Sequence, residues 1–246
     1  MEVHTHTHPS TSSGHRKKWT HYFWEFLMLF LAVFCGFLAE NQREHMVEHH
    51  REKQFMESLI NDLSLDTAYL NTCIKSIDQR IVKVDSVLTF FLDNKSAAQI
   101  PIKLVRTMIS GTSHRSYFEQ RSTIDQLNNS GGMRLIRKRK VVDSIGTYYQ
   151  QCYRFSTWRE RFFNYQSIQE DFHKKIFNAY DMIKYTLVKG ANDDAITKID
   201  ASYLNQYLNH LLLIRRYANN DKDMEYTLIG KAGRLISMIK NEYHLE

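Results

Sequence analysis

One apolar stretch near the N-terminus limits what this chain can fold into. Every residue from Phe26 to Ala39 is apolar, and the segment from Trp19 to Trp24 adds aromatic side chains before it. A helix of about 20 such residues spans the roughly 30 Å hydrocarbon core of a bilayer. Residues 19–39 therefore predict a transmembrane helix, with the lipid bilayer as the first expected partner. Glu25 is its one ionised side chain, and it lies close enough to the aromatic end to reach the interface.

Charges on the two sides of this helix predict its orientation. Three cations at residues 16–18 precede it directly, whereas the far side begins with Glu40 and offers Arg43 only within a mixed-charge run. Because cytoplasmic flanks carry an excess of Lys and Arg, the N-terminus is predicted in the cytoplasm. A cleaved signal peptide is the competing interpretation. Bulky Phe37 at the −3 position before Ala39 disfavours that cleavage.

Small residues share one face of the predicted membrane helix. Ala32, Gly36 and Ala39 follow the spacing that lets a second helix approach closely, which makes them candidates for a helix–helix contact in a homo-oligomer. Small residues at this spacing are also common in apolar helices that do not self-associate. The sequence leaves both interpretations open.

Composition favours a helical domain after the membrane segment. Hydrophobic residues make up 43% of the chain and aromatic residues 13%, with only nine Gly and two Pro. Such a chain can bury a core and contains few helix breakers. The net charge of +6 is modest, so no nucleic-acid partner is expected. We expect a disordered cytoplasmic tail over 1–18, the membrane helix over 19–39 and one helical domain over 40–246.

A histidine motif follows the membrane helix directly. His45, Glu48 and His49 spell H-x-x-E-H, the inverted form of a zinc-protease motif. A hydrolytic zinc site needs a third protein ligand and a cleft for substrate. The motif lies in a run of alternating charges, which is typical of a solvated helix. These residues are therefore weak metal candidates, and the prediction is that no metal or other cofactor is bound.

Apolar periodicity predicts long helices further along the chain. From Met56 to Phe91, apolar residues recur every three or four positions, interrupted once by Asp66. Such a helix packs in an antiparallel bundle or pairs with its own copy as a coiled coil. Further helices are predicted over 102–109 and 123–127, from residue 141 onward, in a segment that ends at residue 217, and over 224–243. Breaks between helices are predicted at 189–193 and 218–221. No strand is predicted. The expected fold class is all-α, with the membrane helix continuing into an exported antiparallel helical bundle.

A glycine pair introduces the most basic part of the chain. Gly131 and Gly132 predict a turn that needs a positive φ at one of the two glycines. A β-branched residue at that glycine would be strained, whereas Ala at the other glycine is expected to have a mild effect on stability. The basic cluster follows within residues 134–140: Arg134, Arg137, Lys138, Arg139 and Lys140. Cations at a helix start oppose the macrodipole, which favours a contact with an acidic partner, phosphate or lipid headgroup. A solvated helix start is the alternative.

Two cysteines outside the membrane segment leave a choice open. Cys73 and Cys152 fall on long predicted helices of one domain. They could pair in an oxidising compartment or remain separate buried thiols.

Two sequence patterns carry a family resemblance. One is the end of the apolar segment, FLAENQREH. The other is a Thr, a Leu, a Ser-Gly pair, an Arg-Leu-Ile run and a Tyr-Tyr pair within residues 123–149. Together they resemble a family of single-pass membrane proteins from Bacteroidota that is known only as a domain of unknown function. The resemblance implies a bacterial inner-membrane protein with a cytoplasmic N-terminus and a periplasmic C-terminal domain. It brings no catalytic or ligand-binding residues.

The leading functional hypothesis is a membrane-anchored periplasmic domain for interaction, scaffolding or ligand sensing. Its partners would be another protein or a second copy of the chain. The alternative is an enzyme whose active-site residues are dispersed over several helices, including a metal-dependent hydrolase built on H-x-x-E-H.

Overall fold

A computed structural model of the protein describes residues 15–95, 99–111, 115–187 and 196–245. The chain divides into two compact units, Met1–Glu52 and Lys53–Glu246. The first helix already begins at His15, inside the segment expected to be a tail. Residues 1–14 of that tail, and the break predicted over 189–193, lie outside the described residues.

The described residues are mainly helical, which confirms the all-α fold class. The helices are α1 (His15–Asp93), α2 (Ile102–Ser110), α3 (Ser122–Asn129), α4 (Arg139–Ile176), α5 (Ala179–Leu187) and α6 (Leu204–Tyr243). Two 3₁₀ turns, Gly132–Leu135 and Ala201–Tyr203, precede α4 and α6. The predicted helices over 102–109 and 123–127 are confirmed, each extended by one or more residues. The helix predicted from residue 141 begins two residues earlier.

Two short strands contradict the prediction that the chain has none. β1 (Gln99–Pro101) pairs antiparallel with β2 (Ile196–Lys198), and Ile100 lies opposite Thr197. Each strand has three residues, of which only the central one is buried. Such short segments are below the four to eight residues over which strand alternation can be read from a sequence.

The unit Met1–Glu52 contains the apolar part of α1. Within the described residues, α1 is the one helix long and apolar enough to cross a membrane, by length and composition. None of its most apolar window, with a mean hydropathy of 2.0, is buried inside the protein. Phe30 stacks between Phe26 and Phe34 along this surface, and Glu25 pairs with His21 at 3.7 Å.

The three long helices of the unit Lys53–Glu246 have defined relative directions. Early residues of α4 contact late residues of α6, and late residues of α4 contact early ones of α6, as in Ser144–Met238 and Tyr165–His210. These two helices are therefore antiparallel. Ion pairs Asp78–Lys222 and Asp85–Arg215 show that α1 also runs antiparallel to α6. Consequently α1 and α4 run in the same direction.

Two apolar clusters form the core of this unit. One lies around Leu63 and Leu70 of α1, Tyr148 of α4 and Leu228 of α6. The other joins the end of α1 to α2, the strands and the start of α6, and includes Ile100. The predicted apolar positions of α1 mostly point into these clusters, since Leu59, Leu63, Leu70, Ile74, Ile77, Val84 and Phe91 are buried.

The turn predicted at residues 218–221 is wrong, because α6 continues through it. Ala218 and Asp221 are both buried there. Asn219 donates its side-chain amide to the Arg215 carbonyl at 3.0 Å, and Asp221 accepts a hydrogen bond from Trp158 of α4. Asn and Asp normally favour turns because their side chains compete for backbone groups. Here contacts within α6 and with α4 engage those side chains while the helix continues.

Candidate functional site

The basic cluster is mounted on a turn with a fixed conformation. Gly131 has φ +69°, in the left-handed region that the sequence predicted for one of the glycines. Gly132 is buried, and a Cβ there would lie 3.0 Å from Leu127 Cδ2. Ile136 is buried in the core, while Met133 packs partly against it. Apolar residues therefore anchor the turn to the core, while the cations between and after them remain on the surface.

The cations of the cluster face solvent. Arg134, Arg137, Lys138, Arg139 and Lys140 are all exposed. α4 begins at Arg139, with no acidic residue in its first turn, so the positive charges lie at the positive end of the helix dipole. Lys138 forms an ion pair with Glu242 of α6 at 3.2 Å. This pair links the cluster to the last turns of α6.

A shallow groove lies on α6 beside this ion pair. It is open to solvent and is lined by residues of α6 that include Gly233, Ser237, Met238 and Glu242. Because Glu242 also pairs with Lys138, the groove and the basic cluster share one surface. Lys138 of the basic cluster therefore borders this groove.

The H-x-x-E-H residues do not converge on one point. His45 pairs with Glu48 at 3.9 Å, whereas His49 pairs with Glu52 at 3.3 Å. Each imidazole thus faces a different carboxylate one turn further along the helix. Among the described residues, no three His, Cys, Asp or Glu side chains are placed to hold a metal ion.

The small residues of the apolar segment lie on an open surface. Ala32, Gly36 and Ala39 are exposed, and a Cβ added at Gly36 would meet no atom within 4 Å. The described residues therefore leave this face uncovered.

Comparison with protein-family models, curated proteins and solved structures finds no match for this chain. The resemblance to the Bacteroidota family therefore stays a prediction.

A buried polar network holds the segment before α3, and sequence reasoning identified only one member of it. Asp66 of α1 accepts the Gln120 backbone N–H at 2.8 Å and the Tyr148 hydroxyl at 2.6 Å. One turn earlier, Asp62 accepts the Thr123 backbone N–H at 2.9 Å. Asp62 therefore caps the start of α3 from another helix, because α3 has no side-chain cap of its own. The only sequence signal was that Asp66 interrupts an apolar pattern.

Neighbouring groups extend this network. The Tyr117 and Tyr148 hydroxyls lie 3.1 Å apart, and the Arg159 guanidinium donates to the Tyr117 carbonyl. Burial raises the pKa of Asp66 despite the hydrogen bonds that it accepts, and it raises the pKa of Tyr148 far above the ordinary value. The tyrosines are therefore neutral hydrogen-bond donors at any physiological pH. Since every group in this network has a partner within the protein, we assign it to holding the fold.

The two cysteines of this unit are free, buried thiols. Cys73 lies on α1 and Cys152 on α4. Burial raises the pKa of each thiol to about 12, which keeps the sulfur protonated and unreactive. Of the two alternatives, the structure has the separate thiols.

Proposed function

We propose that this chain is a membrane-anchored helical protein whose unit Lys53–Glu246 binds a partner protein through the basic cluster. The apolar part of α1 is the anchor, and the larger unit lies on the periplasmic side of a bacterial inner membrane. The anchor is supported by the most apolar window of α1, none of which is buried inside the described protein. The orientation is supported by the cations at residues 16–18.

The observation that carries the partner proposal is the position of the five cations. They lie in the first turn of α4 and in the turn before it, which Gly131 and Ile136 hold in place, and the macrodipole disfavours positive charge at that helix end. Apart from the exposed Lys138–Glu242 pair, folding gains little from this arrangement, since acidic residues would stabilise the same helix end. A partner with an acidic segment would gain from it, because complementary charge accelerates and orients association.

A pull-down from detergent-solubilised membranes tests this proposal. In the test variant, Arg137, Lys138 and Arg139 are replaced by Glu; the matched control carries the same change at three exposed cations elsewhere, Lys75, Lys103 and Arg154. We expect the test variant to recover about tenfold less of an acidic partner than the wild type. The control variant should recover it unchanged. Equal loss in both variants would indicate a non-specific effect of net charge.

The melting temperature separates binding from folding. Loss of the exposed Lys138–Glu242 pair should cost well under 1 kcal/mol, so the test variant should melt close to the wild type. If charge reversal instead unfolds the protein, the cations are structural and the proposal fails. Binding of the wild type to anionic vesicles, with no protein partner recovered, would identify lipid headgroups as the contact.

A further inference from the structure

A second group of charges lies in the interior of the unit Lys53–Glu246, away from the basic cluster. Arg80 of α1 is 1% exposed, and on α6 Asp221 is 2% and Glu225 1% exposed. The two carboxyl groups are one helical turn apart, so they lie on the same face of α6. Both interact electrostatically with Arg80. We call these three residues the buried charge centre.

Hydrogen bonding in this centre is incomplete. The Trp158 indole N–H donates to Asp221 Oδ1 at 3.1 Å. Within the part of the chain that the structure describes, Arg80 Nε, Nη1 and Nη2 and Glu225 Oε2 have no hydrogen-bond partner. The Arg80 guanidinium lies over the Phe162 ring, 4.8 Å from its centre. Polar groups this deeply buried are normally paired, so the centre differs from the fully bonded network around Asp66.

The charges of the centre do not balance when both acids are ionised. One guanidinium then faces two carboxylates, which leaves one negative charge in a medium of low dielectric constant. Arg159 of α4 is the other cation acting on Asp221, but its guanidinium donates to the Tyr117 carbonyl and lies over the Phe118 ring. Cys73 of α1 faces Glu225 as a neutral thiol.

We propose that the buried charge centre is a proton-binding site, in which Glu225 holds a proton that is released as the pH rises through neutrality, weakening the packing of α1 against α6. The neutral form has one cation and one anion and so balances. Deprotonation adds a second carboxylate beside Asp221, and its Oε2 has no hydrogen-bond donor among the described residues. The centre thereby makes the contact between two long helices depend on the pH of its compartment.

The relative acidity of the two carboxyl groups agrees with this assignment. Burial, together with the Asp221 charge, raises the pKa of Glu225 to about 8, although Arg80 opposes this shift. Burial also raises the pKa of Asp221, but only to about 6, because Arg80 and the Trp158 hydrogen bond oppose the effect. Both pKa values lie above those of an unfolded chain, so the folded state binds more protons. The stability that the buried charge centre contributes is therefore greatest at low pH and is lost as the pH rises toward 8.

Thermal unfolding of the full chain in detergent between pH 6 and pH 9 tests the proposal. We expect the wild-type melting temperature to be lower at pH 9 by about 5 °C. Glu225→Gln, which keeps the shape and stays neutral, should lose most of this difference. Asp223→Asn is the matched control, since Asp223 is exposed on the same turn of α6 and should keep the wild-type difference. An unchanged pH difference in Glu225→Gln would overturn the proposal.

An infrared titration of the wild type gives a measurement that does not depend on a variant folding. A protonated carboxyl group has a C=O band distinct from that of a carboxylate. We expect the Glu225 band to be present at pH 7, where Asp221 is mostly ionised, and to disappear by pH 9. It should be missing in Glu225→Gln and retained in Asp223→Asn. If the wild type shows no carboxyl group that titrates in this range, Glu225 holds no proton and the proposal is wrong.

Discussion

The Tyr148 hydroxyl donates a hydrogen bond of 2.6 Å to Asp66 Oδ2 in the protein interior. The same carboxyl group binds the Gln120 backbone through its other oxygen. One aspartate thereby joins α1, α4 and the segment before α3. This segment precedes α3, and the turn that carries the basic cluster follows α3. The position of the proposed binding surface therefore depends on a buried contact of Asp66, which is distant from the cluster in the sequence.

Tyr148→Phe should destabilise the protein through this contact. The variant keeps the ring but removes the donor, leaving Asp66 Oδ2 without that bond inside the core. We expect the free energy of unfolding to fall by about 1 to 3 kcal/mol, measured by denaturant titration of the full chain in detergent. Tyr153→Phe is the control, because Tyr153 lies on the same helix with 71% of its surface exposed. It should change stability by less than about 0.5 kcal/mol, and an equal loss in both variants would contradict the assignment.

Much of the helical pattern could be predicted because it depends on local preferences. Apolar residues at intervals of three or four, from Met56 to Phe91, predicted the buried face of this part of α1. The glycine pair predicted a positive φ at one of its residues, since glycine adopts that conformation at little cost, and Gly131 has it. These signals are contained in neighbouring residues and need no knowledge of the tertiary structure.

The buried polar groups could not be predicted, because their partners lie far away in the sequence. Arg80 and Asp62 carry no local signal of burial in the sequence, yet both are buried against residues of other helices. Asp221 was predicted to lie in a turn, because its hydrogen-bond donor Trp158 is 63 positions away in the sequence. A polar residue inside an apolar pattern, as at Asp66, was the one local signal of this kind.

Substitutions at the glycine pair should destabilise the protein for two different reasons. Gly131→Val should cost about 1 to 2 kcal/mol because a branched side chain is strained at φ +69°, whereas Gly131→Asn should retain most of the stability. We expect Gly132→Ala to cost more than the sequence-based expectation, because its Cβ would lie 3.0 Å from Leu127 Cδ2. We expect a loss of about 1 kcal/mol or more there. Thermal unfolding would contradict this explanation if Asn and Val at residue 131 had the same effect.

The proposed orientation makes a prediction about the flanking charges. A reporter that is active only in the periplasm, fused after Glu246, should be active in the wild type. Replacing Arg16, Lys17 and Lys18 by Glu should reduce or abolish this activity, because the positive bias on the N-terminal side disappears. Reversal of Arg43 alone, on the other flank, is the control and should leave the reporter active. A wild-type reporter active only in the cytoplasm would overturn the orientation.

His173 should give the opposite pH dependence to Glu225. Its ring lies 5.9 Å from that of Tyr207 and 5.3 Å from that of Phe177, and its Nε2 is 3.3 Å from the Gln169 side-chain nitrogen. Burial lowers the pKa of His173 to about 4, below the value near 6.5 in an unfolded chain. The unfolded state therefore binds the proton first. The stabilising effect of a neutral His173 is complete above pH 6.5 and is lost as the pH falls toward 4.

Unfolding measurements at pH 7 and pH 4.5 on wild type and His173→Gln test this sign. The amide of Gln is neutral at both values, so the variant should lose less stability than the wild type on acidification, by on the order of 1 to 2 kcal/mol. Carboxylates elsewhere titrate equally in both proteins and cancel in the comparison. His45→Gln, at an exposed position on α1, should lose as much stability as the wild type. If His173→Gln loses as much stability on acidification as the wild type, protonation of the imidazole does not destabilise the fold. His173 would then not be a buried neutral ring.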